Sequence, residues 1–157
     1  MSDTKQKKPV TFKTYEEYEI GEKIALGSYL LEPQEIIDYA KKWDPMPAHT
    51  DEQAAKRSVF GGLTASGSHM AAIRIHMIQK VGVNPHVIAA LGWDKVRFLK
   101  PGRSGDTLHL VYECIEKRRS NSKPDCGIVT LSFEMTNQDD ELVFSMTDTI
   151  LVQMQNR

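Results

Sequence analysis

One segment limits what this chain can fold into. Ser68 to Val81 reads SHMAAIRIHMIQKV, and Met70, Ala71, Ala72, Ile73, Ile75, Met77 and Ile78 leave a helix there apolar over much of its circumference. A surface helix needs one apolar stripe, so a helix apolar on most sides has to be surrounded by other elements. The remaining sequence must supply what surrounds it.

The C-terminal half supplies it. From Gly92 onward the apolar residues recur at period two, the strand signal. Leu108, Leu110, Tyr112 and Cys114 share one face of a strand, and Val129, Leu131, Phe133 and Met135 share one face of the next. Leu142, Phe144, Met146, Ile150 and Val152 repeat the pattern. Turn signals at Pro101-Gly102, Asn121 to Pro124 and Asn137 to Asp140 separate these runs, which predicts an antiparallel meander. One long apolar helix and an antiparallel sheet make an α+β domain, most economically with the sheet wrapped around the helix. At 157 residues the chain buries roughly 70% of its unfolded surface, enough for one domain without disulfides or a structural metal.

The N-terminal half prepares the approach to that helix. Residues 24 to 31, IALGSYLL, read as a strand. Pro33 suits the first position of a helix whose apolar face is Ile36, Ile37, Ala40 and Trp43. Pro45 ends that helix and pushes Asp44 out of the helical region, and Pro47 is expected to keep a helix from restarting at once. Residues 51 to 57 predict a short helix. Residues 1 to 9, polar and Lys-rich, are expected to be a mobile tail ahead of a domain over 10–157.

Charge and composition narrow the function. Twenty basic residues against 21 acidic ones give a net charge of −1, without the basic footprint that nucleic-acid binding requires. No stretch reaches the roughly 18 apolar residues of a membrane span, and no apolar signal core opens the chain. Cys114 and Cys126 form neither a CxxC nor a zinc spacing, which fits a reduced cytoplasmic protein.

The segment that carries chemistry is Asp44-Pro45-Met46-Pro47-Ala48-His49, followed by FGGLTASGSHMAA from Phe60 to Ala72. It sets an acid and an imidazole five positions apart on a proline-stiffened loop, so both side chains can share one space. Such a pair can manage a proton near neutrality. Thr64, Ala65, Ser66 and Gly67 then lead into the apolar helix, whose first N–H groups lack intrahelical partners and can bind a carbonyl oxygen as negative charge develops on it. Taken singly, these are also features of a terminated helix and an ordinary Ser-capped helix start.

Together they resemble the MaoC-like dehydratases, which include the (R)-specific enoyl-CoA hydratases. Asp44, Pro47 and His49 match the hydratase signature of that family, and Phe60-Gly61 and Ser66-Gly67 match its downstream part. The similarity runs from about Glu32 to the C-terminus and includes Lys100-Pro101-Gly102 and Gly105-Asp106. Met46 departs from the pattern, standing where the signature has an Asn whose hydrogen bonds methionine cannot make.

The resemblance implies a single hot-dog fold, a long helix wrapped by a curved antiparallel sheet, usually as a homodimer. It implies hydration of a trans-2-enoyl thioester of coenzyme A or acyl carrier protein to the (R)-3-hydroxyacyl product, or the reverse. Asp44 and His49 would handle one water, and Ser66 and Gly67 would form the substrate-binding turn, with the Gly67 N–H on the thioester carbonyl. Coenzyme A would enter as part of the substrate, with no separate cofactor.

Two other readings compete. Hot-dog thioesterases and a second class of dehydratases typically carry an acid on the central helix, whereas residues 63 to 82 contain no Asp or Glu. A non-catalytic acyl-CoA binding module would need the pocket but not the Asp/His pair. His69 and His76, seven apart on the helix, are expected to be packed or partly exposed rather than metal-bound, and no metal is expected. Two basic groups, Lys117, Arg118, Arg119 and Lys123 in a connection between strands and Arg97, Lys100 and Arg103, are candidates for the phosphates of coenzyme A.

Overall fold

The computed structural model describes residues 12–156, so the expected tail over residues 1 to 9 lies outside the described residues. After a 3-10 turn at Tyr15–Glu17, strand β1 covers Lys23–Leu30. Its pairing shifts register between Ala25 and Ser28, where Gly27 takes a φ of +90° that a side chain would strain. Helix α1, Pro33–Trp43, begins at its proline as expected and buries Ile36 and Ala40. Trp43, read as part of that face, is instead exposed: it is the last helical residue, beyond the packed turns, and Lys42 lies over its ring.

The chain then departs from expectation in a useful way. Helix α2, Pro47–Thr50, starts directly after the loop, with Pro47 in its first turn, where a missing N–H costs nothing. Pro47 therefore nucleates a turn of helix instead of forbidding one. Helix α3, Glu52–Arg57, follows, with the Asp51 carboxylate accepting from the N–H groups of Gln53 and Ala54.

Helix α4, Gly67–Lys80, is the central helix. It buries His69, Met70, Ala71, Ile73, Arg74 and Met77, while Ile75 and His76 on its remaining side are exposed. At 14 residues it is too short to cross a membrane, and no other described helix is long and apolar enough.

Strands β2 (Val87–Phe98), β3 (Thr107–Arg119), β4 (Cys126–Thr136) and β5 (Leu142–Gln153) complete one antiparallel sheet in the order β1-β3-β4-β5-β2. The expected meander holds for β3, β4 and β5. β2 starts earlier than Gly92 and lies beside β5 rather than β3, so the chain crosses over between them. The predicted inward residues of β3 to β5 form the core with Met70, Ile73 and Met77 of α4, except that Tyr112 is only partly buried against it and Leu142, at the start of β5, lies outside it where Val143 turns inward. This is the expected hot-dog arrangement.

β2 is an edge strand with three register shifts along its pairing to β5, and nearly all its residues are exposed, among them Ile88, Leu91, Trp93 and Phe98. Long apolar edges of this kind are ready to pair with another strand.

Candidate active site

Asp44 ends α1 with φ −159° and ψ 75°, out of the helical region as the following proline requires. Its N–H still reaches the Ala40 carbonyl at 2.9 Å, and its own carbonyl accepts from Met46 N–H at 2.8 Å. The loop is thus fixed by backbone bonds at both ends. Met46, exposed at the start of α2, contributes no side-chain cap.

His49 is turned inward from α2. Its Nδ1 lies 2.6 Å from the Thr64 carbonyl oxygen. A carbonyl only accepts, so in the neutral imidazole this bond puts the hydrogen on Nδ1 and leaves Nε2 with a free lone pair. Nε2 faces Asp44 Oδ2 at 3.9 Å, too long for a direct hydrogen bond and suited to a shared water. The His49 side chain is 14% exposed and that of Asp44 38%, so the base sits inside and the acid on the solvent side.

Thr64 also joins the loop to the start of the central helix. Its N–H donates to the Ala48 carbonyl at 3.3 Å, and the Ala65 N–H donates to the Gly102 carbonyl at 2.8 Å. Gly102 approaches α4 so closely that a Cβ there would lie 2.6 Å from Met70 Sδ. The Pro101-Gly102 turn thereby serves to hold the approach to α4 in place.

Ser66 caps α4: it is buried, and its Oγ accepts from the His69 N–H at 3.3 Å. That leaves the N–H groups of Gly67 and Ser68, in the first turn, without a side-chain cap. Ser66 therefore caps the helix, and Gly67, its first residue, keeps a donor free of that cap. A Cβ on Gly67 would meet the Phe98 ring at 2.8 Å, so the glycine is needed for Phe98 to lie across the helix start.

A second network fixes α1 against α4. The Glu35 carboxylate accepts from the Tyr29 hydroxyl at 2.5 Å and faces His69 Nε2 at 3.3 Å. The His69 ring stacks on Tyr39, centroids 4.3 Å apart and planes 8° from parallel, and His76 meets Tyr29 edge-on at 5.3 Å. His69 is thus packed and His76 exposed with one edge against a tyrosine. Since α1 ends in Asp44 and α4 begins at Gly67, this network sets the distance between the two halves of the site.

Burial holds the His69 pKa below the usual histidine value; Glu35 opposes that shift and His49 adds to it. The unfolded chain takes up a proton near about pH 6.5, and folded His69 only at lower pH. Stability is therefore complete above that range and is lost as pH falls through it. His69→Phe, which keeps the stack on Tyr39 and removes the titration, is expected to lose less stability than the parent between about pH 7 and 5. Urea unfolding at each pH reads this, and equal losses would contradict it.

The basic residues proposed for phosphate contact divide. Lys117 to Arg119 lie within β3, not in a connection, and Lys117 Nζ is spent on the carbonyls of Tyr15 (2.9 Å) and Tyr18 (2.7 Å). Lys100 pairs with Glu141 at 2.5 Å, and Arg103 donates to the Phe60 carbonyl at 2.5 Å. Arg97, Arg118, Arg119 and Lys123 are exposed.

A cavity of about 1010 Å³ lies further along α4, between the helix and the sheet, walled by Leu26, Ile78, Trp93, Phe133 and Ile150 among others. It does not include Asp44, His49 or Gly67, but α4 and β2 are walls common to both. Its lining holds an ion pair, Arg74 Nη1 to Asp148 Oδ2 at 3.0 Å. Sequence reasoning missed this pair, the Thr64 carbonyl and Phe98. The signal for the pair was present: a charge at an inward position between Met146 and Ile150, and an opposite charge within the apolar helix.

Residues 3–136 match the family model described as MaoC like domain. An uncharacterized protein of Bacillus subtilis, YdeM, is 27% identical over 138 residues, 87% of this chain and 96% of that protein. The crystal structure of a MaoC-like dehydratase from Rhodospirillum rubrum superposes with a TM-score of 0.84 at 32% identity, covering 92% of this chain and 99% of that one. The R-hydratase PhaJ1 of Pseudomonas aeruginosa superposes with a TM-score of 0.75 at 25% identity, covering 90% and 86%.

Proposed function

The chain belongs to the MaoC-like domain family, and from that premise we propose that it adds water to trans-2-enoyl thioesters of coenzyme A, giving the (R)-3-hydroxyacyl thioester, and catalyses the reverse dehydration. The observation that carries this reading is the orientation of His49. The bond to Thr64 commits Nδ1 as donor and leaves Nε2 as a base facing Asp44 across a gap of one water.

In this reading the water donates one hydrogen to Asp44 and the other to His49 Nε2. As its oxygen bonds to the β-carbon, Nε2 takes that second proton and the electron pair of the alkene moves toward the thioester carbonyl. The Gly67 N–H stabilises the resulting oxyanion, aided by the positive end of α4. The imidazolium, steadied by the Asp44 carboxylate, then gives its proton to the α-carbon, and the dyad is restored.

Crotonyl-CoA tests the reaction class. The expected result is loss of the enoyl chromophore without release of free coenzyme A; thiol release instead would assign a thioesterase, and neither event would leave a binding module. The absence of any Asp or Glu from α4, GSHMAAIRIHMIQK, favours the hydratase over the thioesterase.

The apolar edge of β2 supports a homodimer formed through this strand. Sedimentation at micromolar concentration is expected to give twice the mass of one chain. A fully active species with the mass of a single chain would contradict this.

A further inference from the structure

The proposed reaction makes no use of His69. This residue stands in the first turn of α4, two positions beyond Gly67, and is 2% exposed. Its N–H is held by Ser66 Oγ, so its backbone is fixed to the cap of the helix. Its ring lies flat on Tyr39, which precedes Asp44 by five positions along α1. The stack is therefore a spacer between the helix end that carries Asp44 and the helix start that carries Gly67, each within about two helical turns of it.

A phenyl ring would space the helices as well, so the imidazole calls for a reason of its own. Glu35 Oε1 lies 3.3 Å from Nε2, so in the neutral ring Nε2 carries the hydrogen and donates to the carboxylate, whose oxygens also accept from the Tyr29 hydroxyl at 2.5 and 2.6 Å. Nδ1 is then a bare lone pair, enclosed and without a partner. A proton taken up there would become an enclosed N–H with no acceptor, which folded proteins rarely keep. The surroundings divide over a charged ring. Burial opposes it most, and Glu35 of α1 favours it, as does the face of Tyr39; His49 of α2 and the positive end of α4 oppose it. Tyr29 of β1 reaches the ring only through Glu35, and His76 lies against Tyr29. The Glu35 side chain is 38% exposed, so a charged ring has a way out of the stack, past its carboxylate to water.

We propose that His69 is a positioning residue for this site: its uncharged ring, stacked on Tyr39 and bonded to Glu35, keeps the Gly67 N–H in register with the Asp44–His49 pair, and its protonation releases α4 from α1 and slows the reaction in acid. This rests on the enoyl-thioester reading above. His69 touches no reacting atom in that reading and acts through the first turn of α4. The fall of activity in acid then has two protons behind it, one on the base His49 and one on His69.

The test follows crotonyl-CoA hydration across pH in two variants. His69→Ala removes the spacer and is expected to lower kcat at least about tenfold at about pH 8, with KM moved far less, because the Gly67 donor counts mostly in the transition state. His69→Phe keeps a flat ring on Tyr39 and is expected to recover most of that loss. Lacking the second proton, it should also gain on the parent as pH falls from about 8 to about 5. Should His69→Phe not fold, Glu35→Gln removes the charge that favours a protonated ring, and is expected to retain a larger fraction of its activity in acid than the parent does. His69→Ala as fast as the parent, His69→Phe no faster than His69→Ala, or either ring-keeping protein with the parent's acid profile would overturn the proposal. Amide NMR spectra read the coupling without turnover: the Asp44 amide, across the stack, is expected to shift with the midpoint of the His69 ring in the parent and to lose that component in His69→Phe. A protein that shows this coupling yet hydrates no enoyl-CoA would reject the reaction and keep the positioning role, whereas an Asp44 amide blind to His69 would overturn the role even where hydration stands.

Discussion

His49→Gln is expected to leave a folded protein that hydrates crotonyl-CoA at least about 10²-fold more slowly than the parent, because glutamine keeps a polar side chain of similar reach but cannot take a proton. The Thr64 carbonyl can still accept from the glutamine amide, so α2 and the start of α4 stay joined, and circular dichroism with urea unfolding should show little change. Asp44→Asn should cost a similar factor, since the amide no longer accepts the water hydrogen as a charged group does. The two losses should not multiply. Both residues act on one water, so the double variant is expected to fall much less than the product of the single effects. Near-normal turnover in either single variant would remove the pair from the mechanism.

Gly67→Pro is expected to have the second large effect, and its geometry dictates how it has to be made. Proline is tolerable in the first turn of a helix and removes the donor that the proposed mechanism assigns to the thioester oxygen. Any Cβ at this position, however, meets Phe98 at 2.8 Å, so even Gly67→Ala combines a packing change with whatever it does to substrate. Phe98 is 58% exposed and its ring tip is what collides, so Phe98→Ala relieves the clash. Measured against Phe98→Ala alone, Phe98→Ala/Gly67→Pro should reduce kcat by about 10²- to 10³-fold, the usual consequence of losing one oxyanion donor. KM should move far less, because the donor counts mostly in the transition state. Equal kcat values in the two backgrounds would place the carbonyl elsewhere.

The parts of this molecule that local chemistry decides were legible before the fold was known. The apolar circumference of residues 68 to 81 demanded a wrapped helix, the period of two from Leu108 onward gave β3 to β5, and Pro33, Pro45 and Ser66 marked helix boundaries that the structure keeps. Asp44 and His49 were legible because their spacing and prolines are local properties. What escaped depends on contacts between distant segments. β2 lies beside β5 because pairing partners are chosen by the whole sheet, and its first residues, Val87 to Leu91, carry no alternation ahead of the period that begins at Gly92. Thr64 orients His49 through its carbonyl, a group every residue possesses, so no residue type announces it. Pro47 was misjudged because the same ring that breaks a helix interior begins a helix well.

The most direct test of the account is the configuration of the product formed from crotonyl-CoA, resolved on a chiral column after thioester cleavage. The dyad and the α4 terminus lie within one fixed site, so water and proton should reach the substrate in a single orientation, and the account predicts (R)-3-hydroxybutyryl-CoA with no free coenzyme A accumulating during turnover. A predominantly (S) or racemic product, or coenzyme A released in place of a hydroxyacyl thioester, would contradict it.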